Sequence, residues 1–495
     1  MLLDNGNSDL EQLFDKVVDG GYCIGCGACA SINNPQIQIK MNKYEQLQAT
    51  LIDSEATDQS SPDISVQTIC PFSDKSLNED QLGQELFSQD CKYDEKLGYY
   101  LETYAGYVNE GDYRHYGSSG GMGSWIISQL LSKNLVDGVI HVKENAASSE
   151  DKRLFKYDLS TTLEDIQKGA KSRYYPVEMS EVIKIIREKP ARYAIVGIPC
   201  FIKSIRLLVR QDPVIAERIK FCIGLVCGHL KSTAFAKMFA WQCGIEPDNL
   251  LSIDFRKKLL DAEANKYGVE VTGIKNGEVV TIARPVQDFS VGGFLGDWGM
   301  GFFKYKACDY CDDVVGETAD ISIGDAWLPQ YVKDSQGTNI VIVRHPILYN
   351  LIEAGKESGE LKLDCLSPEQ VLQSQAAGFR HRHDGLAYRL HLADKQGTWR
   401  PNKRIKPQEN HLDEKEQKRF YLRTIMAEES HLAFQEAYQK DDISIFEKRM
   451  MPIVEEYKSL VAPPKSQKAQ VTFKEPLWKR VLKRIKGQLT KLFKS

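Results

Sequence analysis

The chain has 495 residues, 42% of them hydrophobic and 27% charged, a globular mix that excludes a disordered or fibrous protein and is long enough for two or three domains. Its formal net charge of -4 hides an asymmetry: residues 471–495 carry eight basic side chains and one acidic one, net +7, leaving -11 on the rest. No apolar run approaches the roughly 18 residues of a membrane-spanning helix, and the N-terminal MLLDNGNSDLEQLFDK lacks the regions of a secretory signal. The expected location is the cytoplasm, where the 12 cysteines stay reduced and are free for metal or redox work.

The first element in chain order is a cysteine turn. CIGCGACA separates Cys23, Cys26 and Cys29 by two residues each, with Gly25 and Gly27 letting the backbone wrap closely around an inorganic core. Three convergent thiolates plus a remote Cys-Pro, here Cys70-Pro71, is the pattern by which bacterial ferredoxins hold a 4Fe-4S cube. Asn33-Asn34-Pro35 follows where a second Cys-Pro would stand, so this run supplies one cluster. Zinc would also accept four cysteines, but zinc sites come as separated pairs, and the 3+1 spacing favours iron-sulfur. The polar stretch 53–68 reads as a surface loop and 88–98 as a connector, setting off a small ferredoxin-like module over residues 1–95.

From residue 105 to 344 strand-like and helix-like pieces alternate. Strands are predicted at 138–142, 193–197, 221–226, 321–323 and 340–343, and helices at 122–133, 179–188 and 201–209. This pattern predicts an α/β domain over 96–365 with a largely parallel sheet. Within it, the YGSSGGMGSW segment runs from Gly117 to Gly121 straight into a helix, so backbone amides and the helix dipole make an anion site, although it matches neither GxGxxG nor the Walker pattern. Lys171, Ser172, Arg173 and Tyr174 add two cations and an aromatic able to hold a pyrophosphate and stack a ring. Arg256-Lys257-Lys258 reads as a surface basic group.

Cys308 and Cys311 form a pair just before an apolar strand ending at Gly324-Asp325, and two ligands on one turn need two more. The candidates are Cys200, at the end of a strand, and Cys222 or Cys227 in FCIGLVCGHLKS; strand ends of a parallel sheet are where sites are built. Cys91, Cys243 and Cys365 read as plain thiols. Residues 366–460 form a charged helical region in which His381, Arg382 and His383 read as a solvated face, with substrate binding as the alternative. A linker is expected over 461–476, then a basic amphipathic helix over 477–495 suited to the inner face of an anionic membrane, to an acidic partner or to the chain's own acidic body. The acidic body argues against nucleic acid.

Six segments in order, CIGCGACA, YGSSGGMGSWIISQLLSKNLVDGVI, KSRYYP, GIPCFIKSIR, LVCGHLKS and KACDYC with TADISIGDAW, resemble the coenzyme F420 hydrogenase/dehydrogenase beta-subunit family over about residues 22–344. The resemblance implies an iron-sulfur flavoprotein oxidoreductase with FAD and two 4Fe-4S clusters. It would carry electrons from a one-electron, ferredoxin-like donor through the clusters to FAD, and on to an organic substrate or a deazaflavin. By position it makes Gly117, Ser118, Ser119, Gly120, Gly121, Lys171, Ser172, Arg173 and Tyr174 the flavin phosphate site. Cys23, Cys26, Cys29 and Cys70 would hold one cluster; Cys200, Cys227, Cys308 and Cys311 would hold the second, with Cys222 as the competitor for a place in it. Departures from the family pattern are Ile198 before Pro199-Cys200, where Thr is usual, and a GDAW ending that resembles bacterial members not expected to use F420. Near Cys227, His229 and Lys231 are candidate proton donors. Two other readings are an electron-transfer subunit docked into a larger redox complex through residues 367–460, and a zinc-stabilised scaffold in cell-envelope polysaccharide synthesis.

Overall fold

The computed structural model describes residues 9–32, 36–52, 64–145, 151–289 and 298–461. An eight-stranded sheet lies at its centre, built from β1 (Glu102–Val108), β2 (Gly138–Glu144), β3 (Phe155–Ser160), β4 (Tyr193–Gly197), β5 (Ile219–Leu225), β6 (Ile321–Asp325), β7 (Asn339–Val343) and β8 (Leu361–Cys365). Their spatial order is β8-β1-β7-β6-β5-β4-β2-β3. The pairs β2/β4, β4/β5 and β5/β6 are parallel, and the other four are antiparallel. The sheet is therefore mixed, and the largely parallel arrangement expected from the alternation holds only for the four consecutive strands β6-β5-β4-β2. Parallel neighbours need a crossover, as α2 (Pro199–Gln211) provides between β4 and β5, whereas β2/β3 and β6/β7, consecutive in the chain, pair antiparallel.

Central strands are buried on both faces, and the period of two divides their side chains between two cores. Val139, Ala194, Phe221, Ile223, Ile321, Ile323 and Val341 pack with α1 (Met122–Ser132). The alternate residues Ile140, Ile195 and Cys222 pack with α2 on the other side. That second core also takes Leu13, Val17, Tyr22 and Ile24 from the N-terminal region, and Met426, Phe434, Met450 and Tyr457 from α3 (Glu414–Gln439) and α4 (Ile443–Val461). The N-terminal region consists, in its described residues, of short helices and the hairpin Ile37–Met41/Leu47–Leu51.

A second, three-stranded antiparallel sheet, Leu250–Lys257, Gly268–Lys275 and Glu278–Pro285, lies outside the sequence expectation. Its last strand is mostly exposed, while the middle strand alternates buried and part-buried residues. Among the described residues no helix is long and apolar enough to cross a membrane. The basic helix expected over 477–495, and all of the expected linker after Val461, lie outside the described residues.

Candidate functional site

The C-terminal ends of β4, β5 and β6 open on one edge of the sheet, where a cavity of about 270 Å³ lies. Gly197 and Ile198 follow β4 into its wall, residues 226–231 follow β5, and Gly324 and Asp325 end β6 there. Gly117, Ser118, Ser119 and Gly121 enter from the turn before α1, and Lys171, Ser172, Arg173 and Tyr174 line the cavity beside them. The two predicted phosphate-binding segments thus meet, and the Ser172 N–H donates to Ser118 Oγ at 2.9 Å.

The glycine turn owes its shape to close backbone approaches. Gly121 has φ +85°, and a Cβ there would lie 2.7 Å from Arg114 N. Gly120 packs behind the cavity rather than lining it: a Cβ would strike Gly106 O at 2.7 Å, and its own carbonyl accepts from Val108 N at 2.9 Å. Asn339 at the start of β7 accepts from Met122 N at 3.1 Å, fixing the first turn of α1.

Lys171 pairs with Asp254 at 3.0 Å and Arg173 with Glu144 at 3.0 Å, while the Arg173 guanidinium lies 4.7 Å over the Phe155 ring. Tyr174 meets Trp298 edge-on at 4.6 Å, and its hydroxyl accepts from Arg256 Nη1 at 3.2 Å. Two buried nitrogens at this cavity, the donor Arg173 Nε and His229 Nδ1, have no hydrogen-bond partner, which is the state expected of groups that serve a polar ligand. Glycine backbone, two fixed cations and an orphaned guanidinium donor fit the phosphates of a dinucleotide such as FAD.

Sequence reasoning placed Arg256 and Lys258 on the surface, and the structure corrects this. Arg256 is buried, forms a two-point ion pair with Asp325 at 2.9 and 3.2 Å, and lies 4.3 Å over the Tyr267 ring. Lys258 donates to the carbonyls of Ser119, at 3.0 Å, and of Arg114, bracing the glycine turn. Burial, with Lys171, Arg114 and Arg256 nearby, pulls its pKa down to about 7. Tyr157 and His141 also line the cavity and went unnoticed in the sequence, where each is a lone residue in a strand. His141 is bonded to Ser160 Oγ at 2.8 Å, and burial pulls its pKa down to about 4.

His229 and Lys231 both line the cavity. His229 stacks on Trp298 at 4.8 Å, and burial, then the neighbouring Lys231, holds its pKa well below the usual range, so the imidazole is neutral. Lys231 donates to Phe302 O at 2.5 Å and sits over the Phe235 and Trp298 rings at 4.5 and 4.8 Å.

A second, smaller cavity is lined by Cys200, Cys227, Cys308 and Cys311, together with Ile24, Ile198, Leu230 and Arg382. Cys222 is absent from it. As an interior residue of β5 it is fully buried in the α2 core, and its N–H donates to Asp320 Oδ2 at 2.6 Å. The other group also gathers: burial and then the charges of its neighbours Cys26, Cys23 and Cys70 raise the Cys29 thiol, and burial and Cys26 push Cys70 up to about 12. Gly25 and Gly27, at φ +62° and +86°, bring the loop within 2.4 Å of Leu47 O and 2.6 Å of Glu178 Oε2, measured from where a Cβ would stand.

The two cysteine groups adjoin, since Cys26 is among the charges that raise Cys200. Among the described residues no three Cys, His, Asp or Glu side chains are arranged to hold a single metal ion. Both groups bring together thiols, the ligands that an iron-sulfur cluster takes. The triplet His381, Arg382 and His383, expected on a solvated face, instead lies on a π-turn (Arg380–Asp384) with His381 and Arg382 buried.

Two family models match the chain: the N-terminal part of the coenzyme F420 hydrogenase/dehydrogenase beta subunit over residues 103–184, and its C-terminal part over 191–369. An uncharacterized protein of Methanocaldococcus jannaschii is 25% identical over 236 residues, 46% of this chain and 56% of that one's length. A component of the F420H2 dehydrogenase of Methanosarcina mazei, named as one of its subunits, is 22% identical over 356 residues, 70% of this chain and 86% of that one. The beta subunit of the coenzyme F420 hydrogenase of Methanococcus voltae is 26% identical over 219 residues, 42% of this chain and 68% of that one. A chain of the F420-reducing [NiFe] hydrogenase complex of Methanosarcina barkeri superposes with a TM-score of 0.43 at 17% identity, over 59% of this chain and 92% of that one. With its two halves matched in order across more than half its length, the chain belongs to the coenzyme F420 hydrogenase/dehydrogenase beta-subunit family, a family of oxidoreductase subunits.

Proposed function

We propose that the protein is an iron-sulfur flavoprotein that holds a 4Fe-4S cluster in each cysteine group and FAD in the large cavity. The clusters would take up electrons singly from a ferredoxin-like donor, and the flavin would deliver them in pairs to an organic substrate or a deazaflavin. One observation carries this reading: Ile198, Cys227 and Leu230 line both the cysteine cavity and the large cavity, so the two sites share a wall.

In this reading the residues divide the work. Gly117, Ser118, Ser119 and Gly121 present backbone amides to the phosphates, Lys171 and Arg173 supply charge already fixed by Asp254 and Glu144, and Tyr174, backed by Trp298, walls the ring site. Gly120 holds the turn against β1 and β7. Neutral His229 can accept a proton at its unpartnered Nδ1 or pass one on, and Lys231 lines the same wall.

Iron, acid-labile sulfide and flavin content of anaerobically purified protein tests the reading. About eight iron atoms and one FAD per chain are expected, by four irons per cube; zinc with neither iron nor flavin would overturn it in favour of a scaffold. A second reading, an electron-transfer subunit of a larger complex, draws on the two relatives whose names make them subunits. Flavin-dependent turnover of F420 or another small acceptor by the isolated chain would count against it.

A further inference from the structure

The C-terminal helical region after residue 369 lies beyond both matched family models, yet it reaches the second cysteine cavity. Its π-turn Arg380–Asp384 grips the segment around Cys311 with three successive side chains. His381 Nε2 lies 3.4 Å from Asp309 Oδ1, Arg382 donates to Asp313 O at 2.8 Å and to Gly228 O at 2.7 Å, and His383 meets Asp312 O at 3.3 Å. Of the three only Arg382 lines the cavity with Cys200, Cys227, Cys308 and Cys311.

Arg382 is 2% exposed, its hydrogen bonds to Asp313 and Gly228 end on neutral carbonyls, and its Nε has no partner. Among the described residues no carboxylate forms an ion pair with it. The nearby carboxylates are engaged elsewhere: Asp309 with Lys304 at 2.5 Å, Asp312 with Lys403 at 3.6 Å and Arg404 at 3.4 Å, and Asp313 with the N–H groups of Gly316 and Glu317 at 2.7 and 3.0 Å. A buried guanidinium without a counter-ion is costly unless negative charge meets it. Four thiolates around an iron-sulfur cube supply that charge, and reduction adds one electron to it while Arg382 keeps its protons.

Building on the second-cluster reading above, we propose that Arg382, supplied by the C-terminal region, is a positioning residue whose uncompensated charge favours reduction of the cluster held by Cys200, Cys227, Cys308 and Cys311. The low local dielectric makes the attraction to the reduced state larger than it would be at a surface.

The test is an EPR-monitored redox titration of both clusters in the full chain, with R382Q and R382K beside the wild type. The second cluster of R382Q is expected to reduce at least tenfold less favourably, a fall of 59 mV for a one-electron couple, with the first cluster unchanged and R382K within threefold of the wild type. An unchanged potential in an R382Q protein that retains its iron overturns the proposal, as does an equal shift of both clusters. Should R382Q lose iron, R382K decides: it keeps the charge and not the guanidinium fork, so a tenfold fall there overturns the electrostatic account. A wild type with iron for one cluster only would overturn the second-cluster reading itself, an outcome visible before any variant is made.

Discussion

Cys200 and Cys222 separate at the scale of single residues for a reason set by backbone geometry. Cys222 sits inside β5, where the period of two commits its side chain to the α2 core, while Cys200 follows Pro199 in the first turn of α2, at the strand's open end. C200S is expected to lose the second cluster and about half the iron. C222S should keep its full iron and lose about 1 kcal/mol of stability, as an ordinary buried substitution does; iron analysis with urea unfolding compares the two. Gly121 offers a second single-residue test. Alanine there must adopt φ +85° and also displace Arg114 and Tyr113 backbone atoms 2.7 Å away, so G121A should destabilise by roughly 2 to 3 kcal/mol and release flavin. G277A is the control: φ is +86° but nothing lies within 4 Å, and about 1 kcal/mol with full flavin retention is expected.

Elements meet at the glycine turn through Lys258, which ties the end of strand Leu250–Lys257 to the carbonyls of Ser119 and Arg114. Its pKa in the folded chain, about 7, lies below the ordinary lysine value near 10.4. Between those values the unfolded chain binds a proton that the folded chain does not, so stability rises with pH across that window and is flat below it. Urea unfolding from pH 6 to 10 should show the wild type gaining on K258M only above about pH 7; parallel curves would remove Lys258 from the account. The element scale also marks what the sequence could tell. Buried strands such as β4 announce themselves as unbroken apolar runs, and the cysteine spacing encodes its own chemistry. β3 and the strand Gly268–Lys275 carry the alternation of half-buried strands and are legible in the sequence, whereas β1 is buried nearly throughout with no alternation and β8 is short and largely exposed. Arg256 and Arg382 are illegible for another reason: an arginine reads as surface until its surroundings, here Asp325 or the cysteine cavity, arrive from a distant part of the chain.

At the scale of the whole molecule, the N-terminal cysteine region, the sheet and the C-terminal helices share one hydrophobic core, and a polar clasp closes over the same joint. Arg404, in the segment between the π-turn and α3, pairs with Glu317 through two 2.7 Å bonds, with Asp80 at 2.7 Å and with Asp312 at 3.4 Å. One guanidinium therefore joins the C-terminal region to the N-terminal region and to the loop that follows Cys311. Lys203 of α2 extends the clasp through Glu79, at 3.2 Å. Removing one partner of a buried ion network leaves the others charged and unpaired, which costs about 3 to 5 kcal/mol, so R404A should unfold at markedly lower urea. Because the core is continuous across the three regions, the loss should appear as one shifted transition. Tryptophan fluorescence, far-ultraviolet circular dichroism and the visible absorbance of any bound cluster should move together. If the C-terminal helices melted first while the chromophore stayed intact, the clasp would be joining units that fold separately, and Arg382 would have to reach the cysteine cavity from a region able to detach from it.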